Sequence, residues 1–281
     1  MMKLKKVMAV TMAALMSLAV FAGCGNKDNA NSSEVKLVKE GTLTVGLEAS
    51  YPPMEYIDEK TGELAGFDIE LAKAIAKDMG LEVEFVQVGF DAIFAGLDAD
   101  KYDVAISAIS VNKDRQETLA LSDTYLANQQ VVISAKDGKQ IKSVKELSGK
   151  KVAVQVGTTA DEACQYYQEK EGLEFDLQQL DDMTAAFLAL KSGNVDCVVT
   201  DLVVGDYYVN NFPKDYVKSC DKLTNEPIAI AAKKSNTALI AEINKSLKSL
   251  IDSGKTSEIS KKLFGEDLTK NIDANLKNYD E

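Results

Sequence analysis

The sequence predicts an α/β fold in two similar lobes, and three observations carry that expectation. From Thr42 onwards, β-patterned runs alternate with amphipathic helical stretches, which is the texture of βα units with largely parallel sheets. A second series of the same kind begins after Asp123-Thr-Tyr125, and no short fixed repeat underlies either series. The chain's 281 residues are enough for two domain-sized cores.

Taken in order, residues 1 to 23 have the three parts of an export signal: lysines at the start, an apolar run from Val7 to Phe21, and small residues at Ala22-Gly23. Phe21-Ala-Gly-Cys24 resembles the lipobox of bacterial lipoproteins, which implies a lipidated Cys24 as first residue of the mature chain, held on the membrane by its acyl chains. Gly25 to Glu34 is polar and lacks bulky apolar residues, so residues 24–40 are assigned to the lipidated cysteine and a flexible tether.

Thr42 to Leu47 reads as the first strand, Glu48-Ala-Ser-Tyr-Pro-Pro53 as the loop leaving it, and Asp58 to Gly62 as a turn. Asp68 is expected to cap a helix whose apolar residues Ile69, Leu71, Ala72, Ile75, Ala76 and Met79 recur at helical spacing before Gly80. A strand over Leu81 to Val88, a helix near Asp91 to Leu97 and a strand over Tyr102 to Ser107 follow. The second series gives strands near Gln129 to Ser134, Lys151 to Val156, Val195 to Thr200 and Ile228 to Ala232. Its helices start near Ala160, run over Met183 to Lys191, and close the chain at Asn236 to Asp252 and Thr256 to Phe264. In open α/β sheets the loops at the C-terminal strand ends converge on ligands, which draws attention to Glu48, Phe90 and Ser107 to Arg115.

Composition narrows the chemistry. Apolar residues at 46% and charged residues at 27% are ordinary globular values. Removing residues 1 to 23, which carry three lysines and no acid, takes the net charge from −12 to −15, so a nucleic-acid partner is set aside. The absence of histidine excludes Ser-His-Asp and Cys-His nucleophiles, histidine metal sites and histidine switches. Cys164, Cys197 and Cys220 form no C-x-x-C pair; they are expected as free thiols, with one disulfide among them as the alternative after export. Neither a metal nor a cofactor is expected.

One residue stands apart from this lysine-rich background: Arg115, the sole arginine among 32 basic residues. Where lysine fills every ordinary surface role, a lone arginine suggests a need for a planar, always charged, two-pronged donor, and the natural client is a carboxylate. Asn112 is a plausible N-cap for a short helix starting at Lys113, which sets Arg115 beside free backbone N–H groups at a helix start. A surface charge cluster with Asp114 and Glu117 is the plainer alternative.

The stretch Gly66-Phe-Asp-Ile-Glu-Leu-Ala-Lys-Ala-Ile-Ala-Lys-Asp-Met79 resembles the signature of the extracellular solute-binding proteins, family 3, which serve polar amino-acid ABC importers. Val45 to Pro53, Gly89-Phe-Asp-Ala-Ile93, Ser110 to Arg115, Leu121-Ser-Asp123 and Gly157-Thr-Thr159 fall in the family's order, so the likeness spans about Gly41 to about Leu268. It implies a periplasmic-binding-protein-like (type II) fold with two crossings, near Ala127 to Val131 and Glu226 to Ile230. Lobe 1 would then take residues 41–128 and 229–281, and lobe 2 residues 129–228. It also implies that the mature chain is a monomer that hands its ligand to a membrane permease with its ATPase.

By the same resemblance, Arg115 grips the ligand α-carboxylate with Ser110 and Thr159, Asp201 accepts the α-ammonium, and Tyr51 and Phe90 line the side-chain slot. Ser107 and Thr158 complete the expected ligand-binding set. Met54, Ala108 and Ala160 depart from common family residues, leaving the ligand's side chain to be set by other groups, chiefly Glu48. Members that bind basic amino acids carry an acid at that position, and so do some cystine binders. A cyclohexadienyl dehydratase-like enzyme on the same fold is the rival reading; the lipobox, the Arg115/Asp201 pair and the lack of histidine weigh against it.

Overall fold

The computed structural model describes residues 35–220, 223–273, 275–277 and 279. The expected export signal, Cys24 and most of the expected tether lie outside the described residues.

Strand β1 (Thr42–Leu47) leads through short strands β2 (Ser50–Tyr51), β3 (Glu55–Ile57) and β4 (Leu64–Ala65) into helix α1 (Phe67–Asp78). Strand β5 (Glu82–Gln87), helix α2 (Ile93–Asp98), strand β6 (Val104–Ala105), helix α3 (Lys113–Thr118) and strand β7 (Leu119–Leu121) complete the first series. The second consists of β8 (Gln130–Ala135), β9 (Lys151–Gln155), α4 (Thr159–Glu169), β10 (Asp176–Leu180), α5 (Met183–Lys191), β11 (Cys197–Asp201), α6 (Leu202–Asn211) and β12 (Tyr216–Cys220). The chain then returns to the first sheet as β13 (Ala231–Lys233) and ends in α7 (Thr237–Asp252) and α8 (Lys255–Phe264).

Two five-stranded sheets result, ordered β5-β1-β6-β13-β7 and β10-β9-β11-β8-β12. Each is parallel on one side and antiparallel on the other. That corrects the expectation of largely parallel sheets: strands that enter a sheet from a crossing run against the βα units already there. The crossings pair with each other, since Ile228 N–H donates to Leu126 O (2.9 Å) and Glu226 N–H to Asn128 O (3.0 Å). The ladder between them keeps backbone groups of both crossings satisfied.

Strand β1 is buried along its whole length, with Leu43, Val45 and Leu47 wholly inaccessible. Each such side chain contributes about 1.5–3 kcal/mol of apolar burial. Beside it, Tyr102 lies between two glycines: a Cβ at Gly46 would come within 2.3 Å of the ring, and one at Gly96 within 2.1 Å of the hydroxyl. The hydroxyl donates to Ile93 O at 2.6 Å, fixing α2 over β1 and β6. Upstream, Val38 N–H donates to Asp103 at 2.6 Å, so the chain is fastened to this sheet before Gly41.

Asp68 does not cap α1. Gly66 holds the cap position at φ 126°, where a Cβ would strike Met54 O, and Asp68 lies in the first turn with its carboxylate turned inwards. There it accepts from Ala108 N–H (2.7 Å) and Tyr125 Oη (2.7 Å). The expected strand over Tyr102 to Ser107 shrinks to two residues because the chain turns at Ala108, whose φ is 46°. Cys164 and Cys197 are buried free thiols.

Candidate functional site

Between the two sheets lies a narrow cavity, and it is lined by all nine residues singled out from the sequence: Glu48, Tyr51, Phe90, Ser107, Ser110, Arg115, Thr158, Thr159 and Asp201. The wall is completed by Glu55, Gln130 and Gln155, which sequence reasoning passed over, and by Ala108 and Ala160, two of the positions that depart from the family pattern.

Arg115 enters from the first turn of α3. Its backbone N–H donates to Asn112 Oδ1 at 2.8 Å, the expected cap. Only 5% exposed, it is not the surface charge of the alternative reading. The guanidinium donates to Ser110 O (2.9 Å) and, across the cleft, to Gly157 O (3.4 Å). Burial pulls its pKa down, while the charges of Glu162, Glu226 and Asp201 hold it up. Among the described residues no carboxylate comes within ion-pair distance of it, so a buried cation sits at the cavity wall without a direct anionic partner.

The start of α4 faces the same part of the cavity with Thr158, Thr159 and Ala160. Thr158 caps that helix through Asp161 N–H at 3.3 Å, and Asp161 in turn accepts from Gly157 N–H at 3.0 Å, so the turn is locked at both ends. An 11-residue helix directs free N–H groups and the positive end of its dipole to this point. Arginine fork and helix start together suit a carboxylate.

Asp201 sits at the end of β11, directly opposite Gln130 in the ladder. Its carboxylate accepts from Asn128 Nδ2 (2.7 Å), Gln130 Nε2 (2.8 Å) and Tyr51 Oη (2.9 Å). Burial raises its pKa, and these donors and the charge of Arg115 pull it back. All three hydrogen-bond donors are neutral, which leaves an oriented negative charge suited to an ammonium. The Tyr51 bond also crosses the cleft, as does Asn112 Nδ2 to Glu162 at 3.0 Å.

A second acidic region lies around Ser107. The Ser107 hydroxyl donates to Glu55 Oε1 (2.7 Å) and accepts from Glu48 N–H (3.1 Å), so it serves chiefly as a bridge within the wall. Glu48 Oε1 accepts from Ser50 Oγ at 2.5 Å. Oε2 of Glu48 and Oε2 of Glu55 are both buried with no hydroxyl or N–H donor at close range; Gln155 neighbours Glu48, and Glu55 lies against the Asp68 carboxyl, to which it donates when protonated. Burial raises both carboxyls, Glu55 well above the carboxylate range with the charge of Asp68 adding to the effect; Asp68 itself is pushed up to about 6 by burial. Two buried, incompletely satisfied carboxyls are costly unless a cation or a set of donors meets them.

Phe90 lines the cavity and also lies against Arg115, its centroid 5.8 Å from the guanidinium carbon. No group of three or more metal-binding side chains occurs among the described residues.

The sequence model of the bacterial extracellular solute-binding proteins, family 3, matches residues 43–266. The L-cystine-binding protein TcyA of Bacillus subtilis (strain 168) is 32% identical over 267 residues, covering 91% of this chain and 96% of that one. An ancestral arginine-binding protein bound to arginine superposes with a TM-score of 0.75 at 39% identity, covering 80% of this chain and 99% of the other. The P235GK mutant of ArgBP from T. maritima gives 0.76 at 38% identity, covering 80% and 96%. The arrangement of sheets and crossings is thus the two-lobed periplasmic-binding-protein (type II) fold.

Proposed function

The chain belongs to the bacterial extracellular solute-binding proteins, family 3, and from that premise we propose that it captures a cationic L-amino acid, such as arginine, lysine or ornithine, for an ABC importer. The family and fold are those of non-catalytic amino-acid-binding proteins that work with an ABC transporter, so the cavity is a site of capture rather than of reaction. Arg115 and the start of α4 take the α-carboxylate, and Asp201 takes the α-ammonium. Tyr51 and Phe90 flank the side chain. Its cationic end meets Glu48 and Glu55.

The observation that carries the choice of ligand is the pair of buried acids, Glu48 and Glu55, on the cavity wall. A guanidinium or ammonium satisfies them, whereas the side-chain carboxylate of glutamate would face two acids in a low-dielectric wall. Cystine is the second reading, favoured by the 32% identity to TcyA; its far ammonium suits Glu48, but its far carboxylate meets no arginine or lysine besides Arg115 among the cavity residues.

The binding set is divided between the sheets: Arg115, Glu48 and Glu55 belong with the first, Thr159 and Asp201 with the second. A ligand therefore gains its full set of contacts only when the lobes are closed, and it shifts the open–closed population accordingly. We assign the lobes to residues 41–128 with 229–281 and to residues 129–228, and take the mature chain to be a monomer tethered to the cell membrane through lipidated Cys24, delivering to a permease and its ATPase.

Thermal shift with the twenty amino acids plus ornithine, citrulline and cystine tests the ligand class. A ligand at ~100 times its Kd adds about 2.7 kcal/mol to stability. The largest shift is expected for arginine, lysine or ornithine; a largest shift with glutamate or leucine contradicts the reading.

A further inference from the structure

We propose that Phe94, which does not line the cavity, is a positioning residue that holds the plane of the Arg115 guanidinium. The proposal rests on the reading of Arg115 as the carboxylate anchor. Phe94 projects from α2, half-buried against the cluster of Phe90, Ile93, Leu97 and Tyr102. Its ring centroid is 5.1 Å from the guanidinium carbon, closer than the 5.8 Å of Phe90. The two rings meet edge to face at 6.1 Å and 76°, so each fixes the tilt of the other.

The remaining contacts of the guanidinium are two backbone carbonyls, Ser110 O at 2.9 Å and Gly157 O at 3.4 Å. Carbonyls accept along the N–H bonds, and so set the direction of the fork within its own plane. They do little to stop the plane from tilting about those bonds. Aromatic faces supply that second constraint, attracting a desolvated cation and limiting its tilt. Of the two rings, Phe90 must also serve the ligand side chain as part of the cavity wall; Phe94 is free of that duty. The arrangement also gives a reason for arginine at this one position, since an ammonium has no plane to be held.

The test exploits the chain's single arginine, whose Nε–Hε group gives one NMR resonance without ambiguity. In the ligand-free protein that resonance is expected at a ring-current-shifted position. Phe94→Leu should move it and broaden it, and Phe94→Tyr should restore it. Phe94→Met, which keeps the apolar volume without an aromatic face, serves if the leucine variant folds poorly. In parallel, Kd is measured for L-lysine and for cadaverine, which lacks the α-carboxylate. Phe94→Leu should weaken lysine about five- to thirtyfold. Cadaverine should change by less than about twofold, within the ordinary scatter of distant substitutions.

An unmoved resonance overturns the proposal whatever the ligand proves to be. A moved resonance with unaltered lysine affinity overturns it too, because the tilt of the guanidinium would then not matter to the carboxylate. Equal losses for lysine and cadaverine would reduce Phe94 to general packing. If the unaltered protein binds no amino acid, the reading of Arg115 fails on its own, and the resonance still decides whether Phe94 holds it.

Discussion

Replacing Arg115 with lysine keeps the charge and removes the fork, and the structure sets the size of the effect. The guanidinium now holds Ser110 O and Gly157 O at 2.9 and 3.4 Å while presenting its free N–H groups to the cavity. A lysine ammonium is shorter in reach, has three donors and no plane, and cannot satisfy the Ser110 carbonyl and a bidentate carboxylate together. The loss of one charge-assisted hydrogen bond to the ligand costs about 1.5–3 kcal/mol, which weakens Kd about ten- to hundredfold or somewhat more. Stability of the ligand-free protein should fall by only about 1 kcal/mol, because Arg115 has no ion-pair partner among the described residues to abandon. Titration calorimetry and thermal melting, run on the same preparations, separate the two quantities. Unchanged affinity, or a melting loss larger than the binding loss, refutes the assignment of Arg115 as the carboxylate anchor.

Four further expectations follow from the acids and from Cys24. Glu48→Gln should weaken arginine about tenfold or more and leave glutamine within about threefold, by calorimetry with each ligand, because only the cation uses the charge. Since burial raises Glu48 and Glu55 and a bound cation would lower them again, arginine binding should release protons, and its affinity should fall as pH is lowered from about 8 to about 5. Glu226, wholly buried on the return crossing, has its carboxyl pushed up to about 7 by burial, against an ordinary 4.5. The folded chain therefore holds that proton more tightly than the unfolded chain, and stability falls by roughly 3 kcal/mol as pH rises between those two values; Glu226→Gln should flatten that slope in denaturant melts. Cys24→Ser should release the protein from membranes into the medium, and fractionation that finds the variant still on the membrane places the anchor elsewhere.

The parts of the fold that could be read from sequence are those specified locally. Asn112 and Arg115 stood out because a cap signal and a unique residue type need no partner to be noticed, and helix Met183–Lys191 agrees with the expectation at both ends. Asp68 was misread for the same reason: an acid at a helix start looks like a cap, and only contacts with Ala108 and Tyr125, 40 and 57 residues away, turn it inwards. Glu55 and Gln130 were missed because their roles are wholly non-local. Glu55 is defined by Ser107, 52 residues on, and Gln130 by Asp201 and Glu226 on the other crossing and the neighbouring strand. A signal for Glu55 did exist: an acid between Met54 and Tyr56, two residues after Pro53, is a charge in an otherwise apolar segment.

Calorimetric titration of the ligand-free mature chain with L-arginine, L-lysine, L-cystine, L-glutamine and L-glutamate, repeated in buffers of different ionisation enthalpy, tests the central claim most directly. One site per chain, tightest for arginine or lysine and accompanied by proton release, is the predicted result. Tightest binding of glutamate or cystine, or binding of a cation with no proton released, contradicts the account of Glu48 and Glu55 as the groups that select the ligand.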